Sequence, residues 1–209
     1  MGLIFKITFL PRFMRQLFYK PFNKLMFKSA GAAIGKNFNV YNRIYLKLYK
    51  GGNLIIGDNF TMFSGESINP ISRNMKACIF VNNNASLYIG NNVGMSSPCV
   101  WCNKHIRIGD NVRLGGNVTI LDTDCHSLNY LDRRHKEKDK INTCNKSIII
   151  DEDVLIGANA IILKGVHIGA RSIIAAGSIV TKDIPDDCIA GGNPCKVIHF
   201  INKDESITN

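Results

Sequence analysis

Residues 150–184 read IDEDVLIGANAIILKGVHIGARSIIAAGSIVTKDI, and every sixth residue from the first is aliphatic: Ile150, Ile156, Ile162, Ile168, Ile174 and Val180. Four residues after each stand Val154, Ala160, Val166, Ser172, Ser178 and Ile184, all small or apolar. An α-helix has no use for such a period, because at 3.6 residues per turn the aliphatic stripe wanders around the cylinder. A strand, whose side chains alternate by two, keeps these residues on one face. Six residues of extended chain make one short side, and a glycine after the aliphatic residue permits the turn to the next. Three sides close a coil, and coils stacked ~4.8 Å apart place each aliphatic residue over its counterpart in the coil before.

Working outward, the same phrase returns as IGKNF at Ile34, IGDNF at Ile56, IGNNV at Ile89, IGDNV at Ile108 and LGGNV at Leu114. The repeat breaks where residues 121–147, LDTDCHSLNYLDRRHKEKDKINTCNKS, carry no aliphatic stripe. A polar excursion of this length inside a compact domain predicts a protruding functional loop. A second gap, SGESINPISRNMKA at 64–77, predicts a surface loop near the substrate, and a slip of one residue separates Ile89 from Ile108.

A chain of 209 residues fits one domain with a small appendage. Its net charge of +10 is uneven, since residues 1–50 hold ten Lys and Arg and no Asp or Glu. The reading divides the chain into a basic, partly helical segment at 1–50, a repeat domain at 51–200 and a polar tail at 201–209. The apolar runs near the start are broken by Lys6, Pro11, Arg12 and Pro21, so none reaches the ~20 residues of a membrane span, and no signal peptide is expected. Two readings stand side by side: a helix packed on the body with its basic residues exposed, or peripheral contact with anionic lipid through residues 1–30. No nucleic-acid motif accompanies the charge, so no nucleic acid is expected as partner. Seven scattered cysteines make no disulfide framework and point to a reducing compartment, hence the cytoplasm or the inner face of its membrane. Cys99 and Cys102 form a lone CxxC with no second pair, so core-facing thiols are expected and no metal.

With these repeats, and the ending AAGSIVTKDIPDDCIAGGNPCKVI, residues 52–200 resemble the hexapeptide-repeat acyltransferases of the sugar O-acetyltransferase type. The resemblance implies an all-β, left-handed parallel β-helix, against the usual right-handed rule for parallel crossovers. It also implies transfer of acetyl from acetyl-CoA to a sugar hydroxyl, in polysaccharide or cell-surface glycan biosynthesis, by a homotrimer with active sites between subunits. A histidine at the root of the protruding loop is the general base in such enzymes, and His126 matches it. Imidazole suits the task because it titrates nearest neutral pH. Asp122 or Asp124 then orients the ring or binds sugar hydroxyls, and Ser97 or Asn103 is expected to supply a donor to the oxyanion. Carried across by position, Ala158 and Ala176 offer backbone contacts to the pantetheine arm, Thr181 and Lys182 lie near the nucleotide end, and Lys196 meets phosphate. The chain departs from the family pattern at Leu155, where Trp is usual, and at Cys195, where Ala is usual. Cys125 adjoins the base, but the family transfers acetyl directly. The rival readings are a γ-class carbonic anhydrase-like zinc enzyme using His105, His126 and His167, and a noncatalytic β-helix scaffold. A serine acetyltransferase is set aside for want of a long acidic helical domain.

Overall fold

The computed structural model describes residues 3–65, 71 and 75–201, with side chains from Leu10 onward apart from Arg12. Most of the loop expected at 64–77 and nearly all of the polar tail lie outside the described residues.

The chain opens with α1 (Leu3–Ser29) and then winds six coils of three short strands each. The first coil is β1 (Ala33–Ile34), β2 (Asn39–Tyr41) and β3 (Tyr45–Leu48), the second β4 (Asn53–Ile56), β5 (Thr61–Phe63) and β6 (Cys78–Val81). The third is β7 (Ser86–Ile89), β8 (Gly94–Ser96) and β9 (Cys99–Cys102), the fourth β10 (His105–Ile108), β11 (Arg113–Gly116) and β12 (Thr119–Leu121). The fifth is β13 (Ile148–Ile150), β14 (Leu155–Ile156) and β15 (Ile161–Leu163), the sixth β16 (His167–Ile168), β17 (Ile173–Ile174) and β18 (Ile179–Val180). Equivalent strands of successive coils pair in parallel, giving three sheets, here A, B and C, around one axis.

Register explains the period. In sheet A the repeated phrases fall into one column, Ile34, Ile56, Ile89, Ile108, Ile150 and Ile168, each opposite the next. Ile150, Ile156, Ile162, Ile168 and Ile174 are all fully buried. Each stabilises the prism by about 1.5–3 kcal/mol relative to an exposed position. The rest of the phrase builds the corners. Asn37, Asn59, Asn92 and Asn111 adopt positive φ, and their side-chain amides form a ladder, Nδ2 to Oδ1, at 2.8–3.0 Å. Glycine is required beside them: a Cβ on Gly90 would lie 2.8 Å from the backbone of Gly109 in the next coil.

The prism begins upstream of the expected boundary at 51, because β1, β2 and β3 already pair with the second coil. Its open end is covered by α1. Phe27 is fully buried, edge-on to Phe38, which stacks in turn on Phe60. Asn23 Nδ2 donates to the carbonyls of Val40 and Asn42 at 3.0 and 2.8 Å, occupying acceptors on the otherwise open edge of β2. At the other end β19 (Cys188–Gly192) adds to sheet B and pairs antiparallel with β20 (Cys195–Phe200) across a cis Asn193–Pro194 peptide.

Candidate active site

After Leu121 the chain leaves sheet C and rejoins the prism in sheet A at Ile148. The stem zips closed by an antiparallel bridge between Thr123 and Asn145, with Asp124 N donating to Cys144 O and Lys146 N to Asp122 O. The excursion holds two short helices, α2 (Tyr130–Arg133) and α3 (Lys136–Ile141). Asn129 caps α2, its Oδ1 accepting from Leu131 N at 3.0 Å.

His126 stands at the root of this loop with most of its ring in solvent, and its Nδ1 lies 2.7 Å from Asp139 Oδ2 on α3. The other carboxylate oxygen of Asp139 accepts from Ser127 N at 2.7 Å. An ionised carboxylate only accepts, so Nδ1 carries a proton, and in the neutral ring Nε2 then keeps its lone pair. The hydrogen bond from His126, and then that from Ser127 N, hold the Asp139 carboxyl below the usual carboxylate range. Cys125, immediately before, has φ of 63°, a left-handed conformation that costs a side-chain-bearing residue on the order of 1–3 kcal/mol. That turn sets the direction from which His126 leaves the stem.

The carboxylate that meets the His126 ring is Asp139, thirteen residues downstream, and neither aspartate expected from the sequence. Asp122 is fully buried and faces the prism: its carboxylate accepts from the backbone N–H groups of Asn103, Lys104 and His105 at 2.7, 2.7 and 3.0 Å. The slip near Ile89 explains why. Met95 and Val100 are separated by five positions where six is the rule, and Val100 and Ile108 by eight, so the corner at 103–105 carries surplus backbone that Asp122 satisfies. Asp124 Oδ1 pairs with Lys164 Nζ at 2.9 Å, tying the stem to the fifth coil, and its Oδ2 is buried without a hydrogen-bond partner.

Ser97 lies in the shortened corner, buried, with φ of 44°, its hydroxyl accepting from Gly65 N at 2.8 Å. Its hydroxyl is thus turned inward and engaged with the backbone, unlike the free donor expected from the sequence. Asn103 is half-buried beside Asp122, with Oδ1 accepting from Asn82 Nδ2 at 2.9 Å.

Ala158 and Ala176 occupy the same corner, between sheets B and C, in successive coils. A Cβ on Gly115 would come within 2.6 Å of Ala158 N, and one on Gly157 within 2.4 Å of Ala176 N. Small residues thus expose an edge of nearly bare backbone across three coils. Thr181 and Lys182 are exposed just beyond β18, and Lys196 is exposed on β20 opposite Gly191. Leu155 is exposed on sheet B, where it lines a cleft of about 510 Å³ with Phe63, Met95, Arg113 and Gly115. Sequence reasoning did not foresee this cleft. Cys195 is buried.

The three histidines of the zinc reading have separate partners: His105 Nδ1 meets Ser86 Oγ at 2.7 Å, and His167 Nε2 meets Asp151 Oδ2 at 2.6 Å. Among the described residues no three His, Cys, Asp or Glu side chains converge as a metal site would require. In the CxxC, Cys102 faces the core and Cys99 the outer side beside Cys78, so the two thiols diverge.

Comparison with known proteins gives the same pattern. The hexapeptide repeat of succinyl-transferase matches residues 105–121 and 147–182. A galactoside O-acetyltransferase of Lactococcus lactis subsp. lactis is 44% identical over 100 residues, covering 48% of this chain and 45% of that protein. The crystal structure of a galactoside acetyltransferase in complex with coenzyme A superposes with a TM-score of 0.52 at 30% identity, over 81% of this chain and 65% of that one. The chain carries this hexapeptide repeat and is similar to acetyltransferases built on it. A polySia-specific acetyltransferase structure of the same fold gives a TM-score of 0.57 at 25% identity, over 85% and 87% of the two chains. The fold is accordingly the left-handed parallel β-helix of these hexapeptide-repeat enzymes. The chain spans less than half the length of the curated relatives it matches.

Proposed function

We propose that this chain transfers an acetyl group from acetyl-CoA to a hydroxyl of a sugar in a polysaccharide or cell-surface glycan, with His126 as general base. The observation that carries the reading is the His126–Asp139 pair at the root of the one long described excursion from the prism. A sugar hydroxyl is a weak nucleophile at neutral pH, and Nε2 of a ring held through Nδ1 is the lone pair that takes its proton. As the hydroxyl oxygen bonds to the thioester carbonyl, the proton passes to Nε2. When the carbon–sulfur bond breaks, the CoA thiolate leaves and His126 returns the proton to it.

The bare corner at Gly115, Ala158 and Ala176 suits a pantetheine arm, whose amides bond to backbone. Exposed Thr181, Lys182 and Lys196 supply donors and charge for the nucleotide and phosphate end. Asn103 remains as the side-chain donor to the oxyanion, and Asp124 holds the loop root through Lys164. His126 is open to solvent within one chain, in keeping with a homotrimer in which a neighbour closes the site. A glycan acceptor carried near a membrane fits the basic start of the chain. None of the described helices is long and apolar enough to cross a membrane.

The test is transfer of labelled acetyl from acetyl-CoA to a panel of glycans. Incorporation that disappears in His126→Ala supports the reading, and its persistence in that variant removes His126 from the mechanism.

A further inference from the structure

On a helix packed against a protein body the apolar residues face the body, and α1 does this only in part. Asn23 and Phe27 point into the prism, yet Leu10, Met14, Leu17, Phe18, Phe22 and Leu25 are all exposed, between 46% and 69%. At 3.6 residues per turn these six fall on the side of α1 away from Asn23 and Phe27. Lys20 and Lys24 border that side on one flank and Arg15 on the other. The helix therefore has two apolar faces, and the one away from the prism is exposed.

Charge decides what covers it. Residues 1–50 carry ten basic side chains and no acidic one, so two copies of this face laid together would bring like charge to like charge with nothing to pair. An anionic headgroup layer offers the opposite. Beside the helix, Arg15 and Tyr19 of α1 meet Arg43, Ser64 and Lys76 of the first coils around a cleft of about 340 Å³. Three cations and the Tyr19 hydroxyl line this cleft, which suits a lipid phosphate, while the Ser64 hydroxyl is buried and held by Arg43 O and Ala77 N.

We propose that α1 lies in the interface of an anionic bilayer, with Leu10, Met14, Leu17, Phe18, Phe22 and Leu25 immersed, and with Arg15, Arg43 and Lys76 against headgroup phosphate. This deepens the membrane side of the function proposed above by naming the lipid class and the surface. The loop root lies three coils away along the prism, at ~4.8 Å per coil, so it faces glycan displayed beyond the headgroups rather than lipid itself.

The experiment is sedimentation of the full chain with vesicles of phosphatidylcholine alone or mixed with phosphatidylglycerol, at low and high salt. Binding is expected on the anionic vesicles only, weakened by salt, and lost by roughly fivefold for each of Lys20→Gln and Lys24→Gln. The double variant Phe18→Glu/Leu25→Glu alters exposed positions, so its melting curve stays unchanged while binding disappears. No sedimentation, equal binding to both vesicles, or full binding by the double variant overturns the proposal. So does a fall in the particle mass of that variant without lipid, which would mean that the face joins two copies. Acetyl transfer to a soluble glycan is measured in parallel: failure there overturns the enzyme reading alone, since the vesicle result does not depend on it.

Discussion

Asp122 and His126 are four residues apart in sequence and opposite in fate. Asp122→Ala strands three backbone N–H groups at a buried corner, each costing about 1–3 kcal/mol when unsatisfied, and a clear drop in melting temperature is expected. His126→Ala leaves the melt unchanged and lowers kcat by roughly 10²–10⁴, with KM for acetyl-CoA unaltered. Asp139→Asn lowers kcat more mildly, because the ring stays but its tautomer is no longer fixed. Cys125→Gly relieves the positive φ and keeps activity within about twofold, whereas a covalent acyl-thiol route requires its loss. The place of His126 at the loop root was legible because the repeat stops there, and its role as base rests on the resemblance. Asp139 was not, since its approach depends on a helix within a loop that has no period to read. Asp122 was misread because an acidic residue beside a candidate base looks the same whether its carboxylate turns toward substrate or into a corner.

The elements around the site make further expectations. Asp139 is the clamp of the loop, and its folded carboxyl titrates below the unfolded one. Its contribution is therefore fully present above the ordinary carboxylate pKa of ~3.9 and is lost as pH falls through the lower, folded value. Protection of loop amides against hydrogen exchange should decline in that acid window while the prism strands stay protected; loss at neutral pH contradicts the clamp. In the prism, Ile156→Ala opens a cavity in a fully buried column and should cost about 2–5 kcal/mol by denaturant unfolding. The first coil shows the limit of reading by pattern. Ile34, Val40 and Leu46 already keep the six-residue step, but with a single coil before the turn at 49–52 and a crowd of basic residues the segment reads as an appendage.

For the whole molecule, the architecture follows from one physical demand, that short strands bury one aliphatic face by stacking on copies of themselves, so the fold could be read from spacing alone. Handedness came from family resemblance. The corner proposed for the cofactor came from the resemblance at Ala158 and Ala176, but the cleft at Phe63, Arg113 and Leu155 joins residues from four coils, and no local motif announces it. A trimer in solution, read as three times the chain mass by sedimentation, is expected, and a monomer with full activity contradicts sites shared between subunits. The most direct measurement is single-turnover transfer of labelled acetyl from acetyl-CoA to a glycan hydroxyl, comparing the native chain with a folded His126→Ala protein. Rapid O-acetyl product is expected with the native chain, and slowing of roughly a hundredfold or more in the variant. Equal rates in the two proteins, or no product on any glycan, would contradict the proposed function.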